Sequence, residues 1–252
     1  MSSYPTALTI LLWLALLALA LFFAYWELAI AEGVHLGPRV VALLYDLVAR
    51  RYNNIKQFDP AYEAWFIGEP LAAALQDISA SPGGESPSLG GLRPFVLDVA
   101  TGTGRLPITL LAQEGFRGRV IALDSSREML AEAARATRDW ADRLTFVWQA
   151  ARRLPFDDDT FDAVTCLEAL EFMPDTRQAL REMIRVLRPG GVALLTNRVG
   201  PWAKFLPGHT QSRAAFEAML ATLGLERIRT QTWQMEYDLV WARKPGSVPD
   251  AG

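Results

Sequence analysis

The sequence predicts an α/β protein of three layers, in which helices cover both faces of a mostly parallel, seven-stranded sheet, with one apolar helix ahead of it. From Pro94 onward, apolar runs of strand length alternate with longer segments of helical periodicity. Such alternation is typical of a parallel sheet whose crossover helices pack on both faces. The preceding helix is predicted by an uncharged apolar stretch from Thr6 to Trp26.

At the N-terminus, residues 6–26 are long and apolar enough to cross the roughly 30 Å hydrocarbon core of a bilayer as a helix. Two interpretations compete with a membrane anchor: a signal peptide cleaved near Ala29-Ile30-Ala31, and a helix buried in a core. No Lys or Arg precedes the stretch, and it is longer than the apolar part of a signal peptide, which favours the anchor. We therefore expect a single-pass membrane protein anchored through residues 1–31.

The basic residues that follow the apolar stretch predict its orientation. Arg39 is the nearest, and three more come further along: Arg50, Arg51 and Lys56. Lys and Arg next to a span favour the cytoplasmic side. We expect the C-terminal body of the chain in the cytoplasm.

Residues 32–78 are expected to form a helical segment that covers the site as a lid or lies close to the membrane. Over 39–59, apolar residues recur at helical spacing beside arginines, so this helix either lies on the membrane surface or packs on the main domain. A second helix is expected over 60–78. Residues 79–93, rich in Ser, Pro and Gly, predict a flexible linker. The main domain then covers 94–244, and 245–252 would form a disordered tail.

Seven strands and four helices are predicted in the main domain. The strands are expected near 95–99, 119–124, 144–148, 161–167, 191–196, 226–232 and 236–243, and the helices near 104–114, 127–138, 176–187 and 212–223. The third helix is expected to stop at Arg188-Pro189-Gly190-Gly191, because proline cannot continue a helix and the glycines allow the reversal into the next strand.

Composition excludes several classes of function. The formal net charge is −3, whereas proteins that bind nucleic acids usually carry a basic excess on one face. The single cysteine, Cys166, excludes an internal disulfide, and the two histidines, His35 and His209, do not suggest a metal site. We expect an intracellular protein with neither a metal nor a nucleic-acid partner.

The segment VLDVATGTGRLP, residues 96–107, carries the first functional signal. A dinucleotide-binding loop needs a third glycine where this chain has Pro107, and Asp98 at the strand end would repel a pyrophosphate. The second strand ends in Asp124, whose carboxylate can accept hydrogen bonds from both hydroxyls of a ribose. These features predict a nucleoside ligand that carries a cationic or zwitterionic part.

Five segments, taken together and in order, resemble a known family: VLDVATGTGR (96–105), VIALDSSREML (120–130), RLPFDDDTFDAV (153–164), CLEALEFMPD (166–175) and VLRPGGVALLTNR (186–198). Over residues 94–244 the chain resembles the class I S-adenosylmethionine-dependent methyltransferases, in particular the branch of the ubiquinone and menaquinone C-methyltransferases. The resemblance implies a Rossmann-like methyltransferase fold, S-adenosylmethionine as the cofactor, and transfer of its methyl group to an acceptor.

The resemblance also implies which residues bind the cofactor. The loop around its methionine part would comprise Asp98, Ala100, Thr101, Gly102, Thr103 and Gly104, with Asp98 reaching the amino group. Asp124 would hold the ribose, Ser125 and Met129 would border the adenine, and Leu167 and Glu168 would face the methyl donor.

One departure from the family concerns the adenine. Relatives often carry Gly-Asp-Ala where this chain has Gln149-Ala150-Ala151. Either backbone groups and the side chain of Gln149 hold the adenine, or the affinity for the cofactor is reduced.

The catalytic base stays open at this stage. Transfer from a sulfonium needs mainly alignment, and a base only when a proton must leave. Some relatives show Glu-His where this chain has Glu171-Phe172, so that histidine is absent. The candidates, each with a plain structural alternative, are Glu168, Glu171, His209 and Tyr52, the last in a stretch similar to a Tyr-x6-Tyr segment that covers the site in some relatives.

The anchor favours a lipophilic acceptor, such as an isoprenoid quinone precursor or a phospholipid head group. Tethering raises the effective concentration of an enzyme for substrates that reside in the bilayer. Two alternatives stay open: a methyltransferase acting on a soluble metabolite or a membrane-protein side chain, and a cofactor-binding protein with a regulatory or interaction role and little turnover. The sequence leaves the oligomeric state open.

Overall fold

The computed structural model of the chain describes residues 7–79 and 94–246. Its sheet consists of β1 (Phe95–Val99), β2 (Arg119–Asp124), β3 (Leu144–Trp148), β4 (Phe161–Cys166), β5 (Leu187–Arg198), β6 (Glu226–Thr232) and β7 (Tyr237–Arg243). Residues 80–93 of the predicted linker and 247–252 of the predicted tail lie outside the described residues.

The seven strands are ordered β3-β2-β1-β4-β5-β7-β6. β1 to β5 pair in parallel, whereas β7 runs antiparallel to both β5 and β6. The predicted mostly parallel, seven-stranded sheet is confirmed. The order reverses at β1, between β2 and β4, and ligands of open α/β sheets bind beyond the strand ends at such a point.

Eight α-helices accompany the sheet in the described part of the chain. They are α1 (Ala7–Tyr25), α2 (Pro38–Lys56), α3 (Pro60–Glu63), α4 (Glu69–Ser79), α5 (Arg105–Leu111), α6 (Arg127–Ala136), α7 (Thr176–Val186) and α8 (Arg213–Thr222). The helix predicted over 60–78 is observed as α3 and α4 joined by a π-helical turn, Ala64–Gly68.

Hydrophobic cores lie on both faces of the sheet because successive strand residues point to opposite sides. Leu97 and Val99 of β1 belong to a core that includes side chains of α7 and α8. Val96 belongs to a second core built with α4 and α5. The two cores confirm the three-layer architecture. They hold in place the strands whose C-terminal ends carry the loops of the site.

The start of β5 differs from the prediction. The strand begins at Leu187, which pairs with Phe161 of β4, and α7 ends one residue earlier at Val186. The Pro-Gly-Gly sequence therefore lies within the strand, where the register shifts between Phe161 and Ala163. The reason is long-range pairing: Leu187 has a partner in β4 and is buried, which a local turn pattern does not reveal.

The N-terminal helix α1 has no buried residue. Ala7–Leu28 is long and apolar enough to cross a membrane. Because its large apolar side chains are exposed, α1 is not a core helix of this domain. The chain beyond it does pack on the body: Glu27, Ala31 and Val34 are buried, and Leu206 shares a small apolar cluster with Ala31 and Val34.

Of the two interpretations of the next helix, packing on the main domain is observed. Ser126 Oγ donates a hydrogen bond to Asp46 of α2, and the backbone N–H of Glu128 donates to the same carboxylate at 3.3 Å. Leu43 and Leu47 on α2 remain 56% and 73% exposed, so contact of this helix with a membrane surface stays a prediction.

Candidate functional site

Two adjoining cavities open beyond the C-terminal ends of the parallel strands. The larger has a volume of about 540 Å³ and the smaller about 40 Å³. Their walls have five residues in common: Tyr52, Ala100, Gly102, Leu167 and Glu168. Residues of the loop after β1 and of the loop after β4 thus line both cavities, which form two compartments of one site.

The loop after β1 has the backbone of a glycine-rich turn. Gly102 and Gly104 have φ values of 55° and 89°, in the left-handed region that favours glycine. A Cβ atom on Gly102 would have no neighbour within 4 Å, so bare backbone borders the open space there. A Cβ atom on Gly104 would lie 3.2 Å from Cβ of Ala133, which brings the start of α5 close to α6.

Asp98, at the end of β1, is 3% exposed and lines the smaller cavity. Burial raises the pKa of its carboxyl to about 7, although a hydrogen bond from Thr165 Oγ1 at 2.6 Å opposes the shift. A cationic group placed in this cavity would favour the ionised form of Asp98.

Asp124, at the end of β2, lines the larger cavity. Its two oxygens accept backbone N–H groups from Gly102 and Ser126, each at 2.8 Å. Burial raises the pKa of the carboxyl in spite of these bonds. A carboxylate has about four acceptor positions, so Asp124 retains capacity for hydroxyl donors from a ligand.

Most of the other predicted cofactor residues lie on one of the two cavities. The larger is lined by Ser125, Gln149, Ala150 and Ala151, and the smaller by Thr101 and Thr103. Gly104 and Met129 line neither of them. Met129 is buried in the first turn of α6, where its N–H is capped by Ser126 Oγ at 3.1 Å.

The fold places two of the four candidate bases at the cavities and the other two elsewhere. Glu168 and Tyr52 lie where the two cavities join. Glu171 instead accepts a hydrogen bond from the hydroxyl of Tyr237 and lies away from both cavities. His209 lies with its ring edge-on to His35, 5.4 Å between centroids, at the junction with the N-terminal helix.

Neither of the two candidates at the cavities has the properties of a free base. Burial alone would raise the pKa of Glu168, but the charges of Lys56 and Arg105 outweigh burial, and the pKa of Glu168 is lowered. Both oxygens of the carboxylate are engaged, at 3.0 Å from Lys56 Nζ and 2.5 Å from Arg105 Nη1. Burial raises the pKa of Tyr52, so its hydroxyl stays protonated and can serve as a donor.

Arg105 is the main site residue that the sequence interpretation omits. Besides Glu168 it binds Glu63, and its guanidinium lies 4.1 Å and 4.5 Å from the ring centroids of Phe58 and Trp233. The one available signal was its position directly after the glycine loop. Its partners come from distant parts of the chain, which no local pattern indicates.

A second omitted group forms an apolar end of the larger cavity. Its members are Pro38, Val41, Ala42 and Tyr45 of α2, with Phe172 and Met173 from the segment after β4. Tyr45 precedes Tyr52 by seven positions, so the Tyr-x6-Tyr pattern contained this signal. The lining of the site therefore combines polar groups at the strand termini with these apolar side chains, which we call its apolar end.

These residues fit a nucleoside that carries an amino acid and a positive charge. A buried carboxyl with a raised pKa borders the small cavity, a second carboxylate ends β2, and the bare backbone of Gly102 lies between them. S-adenosylmethionine has an ammonium, a ribose and a sulfonium, and so matches this set of groups.

Comparisons with known proteins agree. Residues 96–191 match the model of a family described as a methyltransferase domain. The 2-phytyl-1,4-naphtoquinone methyltransferase of Synechococcus elongatus is 32% identical over 68% of this chain and 69% of its own length. The demethylmenaquinone methyltransferase of Staphylococcus epidermidis is 41% identical over 65% of this chain and 59% of its own.

Solved structures support the fold. The cyclase SpnF superposes with a TM-score of 0.60 at 19% identity, over 84% of this chain and 97% of that one. YcgJ from Bacillus subtilis gives a TM-score of 0.51 at 20% identity, over 62% of this chain and 95% of that one. At such identities the likeness concerns the fold, whereas the sequence relatives decide the family. The chain belongs to the class I S-adenosylmethionine-dependent methyltransferases, and S-adenosylmethionine is its cofactor.

Proposed function

We propose that the chain is a membrane-anchored methyltransferase whose acceptor is a lipophilic small molecule of the quinone type. The observation that carries the proposal is the apolar end of the larger cavity, where Val41, Ala42 and Phe172 line the same space as the strand-end carboxylate of Asp124. A polar metabolite would make no favourable contact with these apolar side chains, whereas an apolar ring would remove their surface from water, which is favourable. Relatives named for naphtoquinone and demethylmenaquinone substrates support the same class.

The cofactor would lie across both cavities. Asp98 would bind its ammonium in the smaller one, and Asp124 would bind the ribose hydroxyls in the larger one. Gln149 and the backbone of Ala150 and Ala151, which line the larger cavity, would border the adenine in place of the family's aspartate. When bound, the cofactor supplies an activated methyl group on a positive sulfur.

The protein's own part in the transfer is mainly to position the acceptor and exclude water. α2 covers the larger cavity with Pro38, Val41 and Tyr45. Tyr52, where the cavities join, can donate a hydrogen bond to an oxygen of the acceptor ring. Glu168 remains ionised beside Arg105 and Lys56, so it contributes fixed charge near the site rather than proton transfer.

The anchor belongs to the same proposal. Ala7–Leu28 would cross the bilayer, with the body of the chain in the cytoplasm. α2, which lines the apolar end of the cavity, follows this span by a short segment, so the acceptor would enter close to the bilayer where it resides.

The decisive experiment is methyl transfer by the full chain in lipid vesicles with isotopically labelled S-adenosylmethionine. Three acceptors are compared: a demethylated naphthoquinol with an isoprenoid tail, phosphatidylethanolamine, and a soluble metabolite extract. We expect label in the quinol. Label in either of the other two would contradict the proposed acceptor class.

A calorimetric titration with S-adenosylmethionine accompanies the assay and shows that the site is folded. Binding without transfer to any of the three acceptors would favour the alternative of a cofactor-binding protein with a regulatory or interaction role. Asp124→Asn is the matched control, since it should weaken binding and abolish transfer together.

A further inference from the structure

Two neighbouring loops expose apolar side chains that neither the site nor the core uses. Trp202 is 49%, Phe205 37% and Met235 83% exposed. Trp202 and Phe205 lie on a short helical turn, Pro201–Phe205, with 5.6 Å between their ring centroids. Met235 lies on the turn between β6 and β7.

Hydrogen bonds join the two loops into one surface. The N–H of Val199 donates to the carbonyl of Glu236 at 2.9 Å, and the N–H of Gly200 donates to the same carbonyl at 3.3 Å. The carboxylate of Glu236 accepts a hydrogen bond from the N–H of Trp202 at 3.4 Å. We call Trp202, Phe205 and Met235 the aromatic patch.

The aromatic patch lies at the edge of the sheet where the cofactor site opens. The loop that carries Trp202 follows β5, whose C-terminal end is at this edge. β7 runs antiparallel to β5, and β6 antiparallel to β7, so the β6–β7 turn is at the same edge. Both loops therefore lie on the side of the molecule that carries the two cavities.

The same loop is attached to the end of the N-terminal apolar helix. Leu206 is buried in a cluster with Ala31 and Val34, which follow that helix. His209 contacts the ring of His35, which in turn stacks on Trp26 with 5.3 Å between centroids. The carboxylate of Glu27 accepts a hydrogen bond from the backbone N–H of His35 at 3.0 Å, and its other oxygen lies 3.0 Å from His35 Nδ1. The aromatic patch is thus held at a fixed place beside the point where the span ends.

The composition of this surface matches the boundary between lipid and water. Trp is enriched at that boundary because its ring is apolar and its N–H is polar. Lys204 lies between the two aromatic residues, with Nζ 5.2 Å from the ring centroid of Phe205. Residues 199–212 contain no Asp or Glu, and the acidic residue of the turn between β6 and β7 is Glu236.

We propose that the aromatic patch docks in the head-group region of the membrane that anchors the chain, as a second contact besides the span. The inference rests on the anchor of the proposed function. With two contacts the body cannot rotate freely about the end of α1, and the edge that carries the cavities faces the bilayer. Lipophilic acceptor then passes from the membrane to the apolar end of the cavity without crossing bulk water.

The test is the depth of single spin labels on the full chain in vesicles of phosphatidylcholine and phosphatidylglycerol. Cys166 is the single cysteine and is buried, so an introduced cysteine takes the label. The probes are Phe205→Cys and Met235→Cys in the aromatic patch, and Leu19→Cys in the span. Asp139→Cys is the aqueous control: its side chain is 83% exposed and follows α6, at the opposite edge of the sheet.

We expect labels at 205 and 235 to show an oxygen-to-nickel-chelate accessibility ratio severalfold above that at 139. A value at both positions equal to that at 139, with a label at 19 deep in the bilayer, would overturn the docking and leave the anchor intact. Accessibility ratios at 19, 205 and 235 that all equal the ratio at 139 would overturn both the docking and the anchor. Unchanged affinity for S-adenosylmethionine confirms that each labelled variant is folded, and position 235, on an exposed turn, remains informative if position 205 tolerates no label.

Discussion

Arg105 and Glu168 form a buried ion pair between the start of α5 and the loop after β4, with 2.5 Å between Nη1 and Oε1. Lys56, at the end of α2, lies 3.0 Å from the other oxygen, and Glu63 binds the other side of the guanidinium. Segments before residue 80 and after residue 94 are thereby tied together at the mouth of the site. Glu168 is consequently an ionised, fully engaged carboxylate.

Glu168→Gln should destabilise the protein without removing a base. The change leaves the buried Arg105 with one partner fewer, which typically lowers the free energy of unfolding by about 1–3 kcal/mol. Because the carboxylate has a lowered pKa and two cationic partners, the pH dependence of methyl transfer should keep its shape. Denaturant unfolding and a pH–rate profile check the two expectations.

Glu132→Gln is the matched control, because it removes one carboxylate from an ion pair with Arg135 on the surface of α6. Exposed pairs contribute little, so unfolding should hardly change. If Glu168→Gln had normal stability and lost the acidic limb of the pH–rate profile, Glu168 would be a general base after all.

The affinity for S-adenosylmethionine should depend on pH through Asp98. Burial raises the pKa of this carboxyl from 3.8 to about 7, so it is ionised above pH 7 and protonated below. Only the ionised form attracts an ammonium, and affinity should fall as the pH drops from about 8 to about 5.5, approaching tenfold per pH unit. Calorimetric titration across this range measures the slope.

Without the cofactor the same shift acts on stability in the opposite sense. Between pH 3.8 and about 7 the folded state holds a proton that the unfolded state has lost, so this group's contribution to stability declines as the pH rises. Asp98→Asn should bind the cofactor weakly and with little pH dependence. A variant that retained the full slope would show that another group titrates.

Enlarging a side chain on the wall of the apolar end should separate acceptor binding from cofactor binding. Ala42 of α2 lines the larger cavity, and Ala42→Phe would fill space intended for the acceptor. Overfilling a packed space typically costs about 1–3 kcal/mol. If this cost falls on the binding free energy of the acceptor, KM for the acceptor should rise about tenfold or more while the Kd of S-adenosylmethionine stays the same.

Leu43→Phe on the same helix is the control for Ala42→Phe. Leu43 is 56% exposed and does not line the cavity, so both constants should be unchanged. Equal kinetics for the two variants would mean that the acceptor binds elsewhere.

Removal of residues 1–24 should release a folded, cofactor-binding protein from the membrane. The cut precedes Glu27 and Ala31, which are 3% and 0% exposed and pack on the body. Removal of residues 1–31 would delete both and should lower Tm. Sedimentation with vesicles, thermal unfolding and cofactor titration compare the two truncations with the full chain; a full chain that stays in the supernatant would contradict the anchor.

Short-range patterns determined much of the fold. The bounds expected for the strands over 95–99, 119–124, 144–148 and 226–232 agree with the structure, because a strand-length run and the turn that ends it are both set by neighbouring residues. The glycine loop and the acids at the ends of β1 and β2 were visible for the same reason. Together they sufficed for the fold class and for a nucleoside ligand with a cationic or zwitterionic part, whereas S-adenosylmethionine was implied by the resemblance to a known family.

Tertiary structure alone decided which of these residues share a site. Glu168 and Glu171 are neighbours in sequence and equal as candidate bases, yet one meets Arg105 and Lys56 and the other meets Tyr237. The register at which β5 joins β4, the placement of α2 over the cavity and the contact of Leu206 with Ala31 likewise join distant positions. Such contacts depend on the packing of whole elements, and packing is a property of the assembled chain that no local segment encodes.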